Sequence, residues 1–156
     1  MLVIGDSAPL EIELKDLENK IVSLSTLIGS GVILYFYPKD FTPGCTREAC
    51  DFRDFYSKIK SFGFKVVGIS SDSVESHLKF KGKHELNFEL WSDTDHELAK
   101  AFGVWQEKKI FGKIGLGVIR STFILDETGK IIKTWPTVNV KGHTEEVFNF
   151  LKDIEK

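Results

Sequence analysis

One stretch limits the architecture more than any other: Gly31–Tyr37, "GVILYFY", a continuous run of β-forming apolar residues closed by Pro38. A strand with no polar alternation must be covered on both faces, which calls for a sheet with layers on either side. The residues beyond Pro38 supply those layers. From Cys45 onward, Ala49, Phe52, Phe55, Tyr56, Ile59 and Phe62 recur at three- and four-residue spacing, so an amphipathic helix is expected to about Phe62, stopped by Gly63. "FKVVGIS" (64–70) reads as a second buried strand, 71–86 as a polar-faced helix, 88–91 as a short strand and 93–102 as a short helix. "VIRSTFIL" (118–125) and "KIIKTW" (130–135), joined through Asp126–Gly129, predict a hairpin, and 143–156 a closing helix with Val147, Phe150, Leu151 and Ile154 on one face. Alternation in "LEIEL" (10–14) and "IVSLS" (20–24) predicts an N-terminal hairpin. Residues 104–118, with three glycines, read as a loop or irregular hairpin near the functional edge. The sum is an α/β fold, a mixed central sheet flanked by helices, with a right-handed parallel crossover from 31–37 to 64–70.

Length and composition narrow the function classes. A chain of 156 residues is expected to form one domain, 1–156, with a core that needs no disulfide staples. With 42% hydrophobic and 28% charged residues it reads as globular rather than disordered, and a net charge of -2 predicts no attraction to nucleic acid or to an anionic membrane. "MLVIGDSAPL" lacks the basic and apolar regions of a secretory leader, and no apolar run is long enough to span a bilayer. Two cysteines cannot form a disulfide framework, so a reducing, cytoplasmic setting is expected.

Those cysteines, Cys45 and Cys50, stand behind a Thr42-Pro43-Gly44 turn at a helix start, after the carboxyl end of a central strand. Sites in open α/β sheets gather at that edge. The bland reading is a buried structural cysteine; the turn, the helix start and the second thiol together favour a reactive one. Thr42 can cap the helix or face a ligand, and both readings stand. A free thiol of pKa ~8.5 is only about 3% ionised at pH 7, and bringing one near 6 takes roughly 3.4 kcal/mol. A helix N-terminus contributes about 0.3–1 kcal/mol, at most ~2, so a cation must supply the remainder. Arginine usage points to one. Of 21 basic residues only Arg47, Arg53 and Arg120 are arginines, and Arg120 interrupts an apolar strand where an unpaired charge would be costly. Arg120 is either an edge residue reaching water or the partner of a thiolate, an oxyanion or Glu48, one turn beyond Cys45. In a regular helix, residues five apart are about 8.7 Å apart at Cα, beyond the ~7 Å a disulfide tolerates. Cys45 and Cys50 therefore never bond, or bond only when the first turns unwind; alternatively Cys50 is a small core residue. C-x₄-C without further ligands does not suit zinc, and no metal is expected.

Pro38-Lys39-Asp40-Phe41-Thr42-Pro43-Gly44-Cys45 resembles the P-x-x-x-T/S-x-x-C signature of peroxiredoxins, and "GCTREACDFRD" resembles their bacterioferritin comigratory protein (Q-type) subfamily. "GDSAPLEIEL" and "RSTFILDETGKI" extend the resemblance over nearly the whole chain, although "FGKIGLG" stands where relatives often carry Tyr-Met-Gly. The resemblance implies a thioredoxin-like fold with an N-terminal β-hairpin extension and a peroxidase that needs no cofactor. By the same resemblance Cys45 is the peroxidatic cysteine, Thr42 hydrogen-bonds the peroxide, Pro38 shields the thiolate, Arg120 stabilises it, Glu48 orients Arg120, and Cys50 resolves the sulfenic acid as a Cys45–Cys50 disulfide. It further implies hydrogen peroxide and alkyl hydroperoxides as substrates, thioredoxin or a similar dithiol as reductant, and a monomer or weak homodimer. The rival readings are a thioredoxin-like disulfide oxidoreductase, which should show C-x-x-C, and a non-catalytic binding module on the same fold. The four histidines, 77, 84, 96 and 143, read as surface or capping residues, and Asp93 and Asp95 as helix-start chemistry rather than metal ligands.

Overall fold

In the computed structural model, which describes residues 1–155, the run 31–37 becomes β3, Gly31–Phe36, buried at every position and central in its sheet. The other elements of the main sheet are β1 (Leu14–Lys15), β2 (Ile21–Val22), β4 (Phe64–Ser70), β5 (Glu89–Ser92), β8 (Ser121–Leu125) and β9 (Ile131–Trp135), in the order β2-β1-β5-β4-β3-β8-β9. β3 and β4 run parallel, as do β4 and β5, whereas β8 is antiparallel to β3 and β9 to β8. Helices α1 (Pro43–Ser61), α2 (Val74–His84), α3 (Glu97–Phe102) and α4 (His143–Glu155) cover the faces.

Alternation along β3 divides the interior in two. Val32, Leu34 and Phe36 face a core with Phe102, Phe123 and the N-terminal Leu14, Leu24 and Leu27. Ile33, Tyr35 and Tyr37 face the other, with Phe88 just before β5 and with Phe52, Ile59, Phe80, Val147 and Leu151 from α1, α2 and α4. This is the mixed, helix-flanked sheet expected from the sequence.

The boundaries depart from expectation where polar side chains intervene. The N-terminal hairpin keeps only two residues per strand, and Leu24–Leu27 instead form a 3-10 turn that buries Leu24 and Leu27. β1 also pairs with β5 through Lys15 and Ser92, so this hairpin extends the main sheet. α2 begins at Val74 because the Ser73 hydroxyl accepts the Ser76 N–H. α3 begins at Glu97 because the Asp93 carboxylate accepts the N–H groups of Leu98 and Ala99, the helix-start role expected of it.

Residues 104–118 hold a regular hairpin, β6 (Trp105–Ile110) and β7 (Lys113–Val118), forming a two-stranded sheet of its own. Its turn has Phe111 at φ 52° and Gly112 at φ 80°, the two successive left-handed residues that match strand twist. Phe-Gly is not the usual Asn-Gly turn signal, which is why the pattern reads as a loop. The expected single strand 118–125 is split by this change of sheet. Val118 closes β7, Ile119 and Arg120 form a joint, and β8 starts at Ser121, so Arg120 lies between strands instead of within one. None of the helices among the described residues is long and apolar enough to cross a membrane.

Candidate active site

The loop from Tyr37 to Thr42 carries the chain from the carboxyl end of β3 into α1. Thr42 is the extended N-cap residue, and Pro43 occupies the first turn where its missing N–H costs nothing. The Thr42 hydroxyl does not cap the helix. It donates to the Lys39 carbonyl at 2.8 Å, which leaves the oxygen lone pairs to accept from a ligand. Of the two readings open for Thr42, the ligand-facing one fits this geometry.

Cys45, in the first turn of α1, is 1% exposed, and its Sγ accepts a hydrogen bond from Arg120 Nη2 at 3.2 Å. Arg120 Nη1 donates to Glu48 Oε1 at 2.7 Å. One guanidinium thus bridges a sulfur and a carboxylate that lie one helical turn apart, reaching them from the joint between the two sheets. Gly44 lets it approach: a Cβ there would stand 3.2 Å from Arg120 Nη2. Burial opposes the Arg120 charge, but Glu48 and Cys45 outweigh that and raise its pKa. Burial likewise pushes the Glu48 carboxyl up to about 7 despite the opposing Arg120 pair. Glu48 Oε2 and the Tyr35 hydroxyl are buried and have no hydrogen-bond partner among the described residues.

Pro38 sits at the head of the loop and lines a cavity of about 400 Å³ with Lys39, Ser71, Trp105, Lys108 and Val118. The structure therefore brings Cys45, Glu48 and Arg120 into direct contact, sets Thr42 at the start of the same helix, and places Pro38 on the adjoining cavity wall. Cys50 lies half-buried in the same unbroken helix; both cysteines are free thiols. A larger cavity, about 490 Å³, lies between β1, β2 and the starts of α2 and α3 and includes none of these residues.

Two groups escaped the sequence reading. Lys108, in β6, donates to the Val118 carbonyl at 2.8 Å, and burial followed by the Arg120 charge lowers its pKa, with Cys45 opposing. Nothing marks it out in a chain this rich in lysine. His77 and His143, expected to be surface or capping residues, are 0% and 2% exposed. Both hydrogen-bond inside the protein, His77 with Asp40 and His143 with the Thr122 hydroxyl, which offsets the cost of burying a polar ring. Burial, and then Arg120, lowers the His143 pKa to about 4.

The family model described as AhpC/TSA matches residues 4–134. Peroxiredoxin Bcp of Bacillus subtilis is 49% identical over 153 residues, covering 98% of this chain and 97% of that protein. Peroxiredoxin Bcp of Escherichia coli K12 is 42% identical over 149 residues, covering 96% and 95%. Among solved structures, a Xylella fastidiosa PrxQ cysteine-to-serine mutant superposes with a TM-score of 0.93 at 38% identity, covering 100% of this chain and 99% of its own. The bacterioferritin comigratory protein of Xanthomonas campestris, studied for its alkyl peroxide reduction activity, gives 0.89 at 38% identity over 97% and 100%.

Glu48 and His143 pull stability in opposite directions with pH. Glu48, raised from 4.5 to about 7, contributes stability below 4.5 that is lost as pH rises through 7. His143, lowered from 6.5 to about 4, contributes stability above 6.5 that is lost as pH falls through 4. Relative to wild type, Glu48→Gln is expected to make stability rise more with pH over that range, and His143→Gln to make it rise less or fall. Each effect is at most about 3 kcal/mol, at 1.36 kcal/mol per unit. Urea midpoints of the reduced proteins across pH 4–8 test both signs; curves parallel to wild type would contradict them.

Proposed function

The chain belongs to the AhpC/TSA family, and from that premise we propose that it is a thiol-dependent peroxidase with Cys45 as its peroxidatic residue. The observation that carries this reading is the Arg120 fork on Cys45 Sγ and Glu48. A guanidinium beside sulfur stays in place while negative charge passes from sulfur to the departing oxygen. Thr42 supports the same reading, because a hydroxyl whose proton is committed to Lys39 can accept the peroxide O–H.

The Cys45 thiolate attacks one peroxide oxygen. An S–O bond forms, the O–O bond breaks, and the departing oxygen takes a proton to leave as water or alcohol, giving Cys45 sulfenic acid. Sulfur is oxidised by two electrons and the peroxide is reduced by two. The Cys50 thiol then displaces water from the sulfenic acid to form a Cys45–Cys50 disulfide. In wound α1 the two Cα atoms stand about 8.7 Å apart, so the helix start opens for this step. Thioredoxin or a similar dithiol restores both thiols by exchange and is itself oxidised. Hydrogen peroxide and alkyl hydroperoxides are the substrate class. Pro38 shields the thiolate, and Glu48 holds the Arg120 fork toward sulfur.

Thiol counting tests the assignment. Substoichiometric hydrogen peroxide should remove two thiols per peroxide from the reduced protein, and Cys45→Ser should remove none; peroxide turnover in that variant would sink the assignment. Cys50→Ser should form Cys45 sulfenic acid at an unchanged rate but no internal disulfide, as read by intact mass. Normal turnover of this variant with thioredoxin would leave Cys50 a packing residue, or place resolution on the external thiol. Arg120→Lys, whose single ammonium cannot bridge Cys45 and Glu48 together, should slow peroxide reduction roughly 100-fold, the cost of losing one fixed donor.

A further inference from the structure

We infer that Asp40, a residue the chemistry above does not use, is a positioning residue that fixes the turn presenting Thr42 and Cys45 to the peroxide. The inference rests on the peroxidase reading and goes beyond it.

Asp40 is 3% exposed, although Lys39 and Phe41 on either side of it are exposed. All of its polar groups facing the interior are used. Oδ1 accepts the Tyr37 hydroxyl at 2.6 Å; Oδ2 accepts the Ser76 hydroxyl at 2.8 Å and faces His77 Nδ1 at 2.7 Å. His77 Nε2 lies 3.2 Å from the Trp91 carbonyl, which can only accept, so Nε2 carries a hydrogen. The Asp40 N–H donates to Asp72 Oδ2 at 2.8 Å, and the Ser70 hydroxyl donates to the same oxygen at 2.7 Å. Asp40, Asp72 and His77 bring their ligand atoms within 4.8 Å of one another. With these partners already in hydrogen bonds, the cluster is a clamp between the loop, the end of β4 and α2, and not a cation cage.

The clamp acts on the next residues. Phe41 sits at φ 66°, a conformation a bulky residue keeps only where its surroundings impose it. On one side Asp40 is fixed, and on the other the Phe41 ring lies edge-on to Phe80 of α2 at 5.2 Å. That reversal turns Thr42 back so that its hydroxyl meets the Lys39 carbonyl and its own carbonyl accepts Thr46 N–H at 2.8 Å. The position of the accepting hydroxyl relative to Cys45 is thus set from α2, with no contact between Asp40 and the sulfur.

This placement predicts an asymmetric effect on the cycle. Attack on peroxide needs Thr42 and Cys45 in register, and small misplacements of reacting groups cost about 100-fold. Disulfide formation begins by dismantling that register. Asp40→Asn keeps the side-chain shape but, with its oxygen taken by the Tyr37 hydroxyl, presents an N–H donor to Ser76 and His77 where they now meet a carboxylate oxygen. Rapid-quench alkylation with intact-mass detection separates the peroxide-dependent step from the peroxide-independent conversion of sulfenic acid to disulfide. The expected result is a peroxide step slowed roughly 10–100-fold with a disulfide step that is not slowed. Equal slowing of both steps, or an unchanged peroxide step, overturns the inference. Ser76→Ala, which removes one outlying donor, is judged by the same two outcomes, with a smaller loss, should Asp40→Asn not fold. Failure of the peroxidase reading is distinct, since wild-type Cys45 would then not be oxidised by peroxide at all.

Discussion

A guanidinium removed from water needs anionic or polarisable partners for its fork, and Arg120 meets that need only because three separate parts of the chain converge. The joint between β7 and β8 supplies the arginine, the first turn of α1 supplies Cys45, and the second turn supplies Glu48. Gly44 keeps the approach open. The same positive charge lowers the affinity of Lys108 and His143 for protons, so its field reaches β6 and the start of α4. Remove the guanidinium and Glu48 would be a buried carboxyl with no partner, which is among the more costly arrangements a core can hold.

The convergence depends in turn on β3 being covered on both faces. At its carboxyl end a central strand, the starts of α1 and α2 and the accessory hairpin come together. Tyr35 of β3 and Tyr37, the first residue beyond its end, pack into the same core and stack at 5.4 Å. Tyr35 continues the packing into Phe52 of α1, while Tyr37 turns its hydroxyl to Asp40. The apolar layer and the polar clamp are therefore built from a strand residue and one just past its end, which couples the site's placement to the packing of the core.

Much of this is legible in the residues. Period-two and period-3.6 patterns mark β3, α1, β4, the β8–β9 hairpin and α4, and a thiol behind a Thr-Pro-Gly turn marks the site. Arg120 stands out by being an arginine among lysines, but its place in a joint between sheets does not, because Val118 to Leu125 reads as one apolar run. The starts of α2 and α3 are set by Ser73 and Asp93 accepting backbone N–H groups, a local bond that periodicity does not encode. His77 and His143 look polar and scattered. Their burial is made tolerable by partners 37 and 21 residues away, Asp40 and Thr122, a long-range pairing that no local pattern carries.

The two ends of α1 are built unequally, and that inequality suits a pair of thiols five residues apart. Beyond Cys50 the helix is pinned: Arg53 Nη1 donates to the His84 carbonyl at 2.7 Å, Asn87 Nδ2 donates to the Arg53 carbonyl at 3.2 Å, and Phe52 stacks on Tyr35 at 4.8 Å. Before Cys50 the helix has little of its own to hold it. Thr42 gives no side-chain cap, a bond usually worth about 1 kcal/mol. Gly44 loses the most backbone entropy on ordering. Burial of Glu48, which its raised pKa records, also works against the wound form. What keeps the first turns closed is then the Arg120 contact with sulfur and carboxylate together with the burial of Cys45 and Ala49. On the peroxidase reading, Cys45 must leave this contact for Cys50, and the turn it leaves from is the one without a side-chain cap, while Arg53 ties the helix beyond Cys50 to the end of α2.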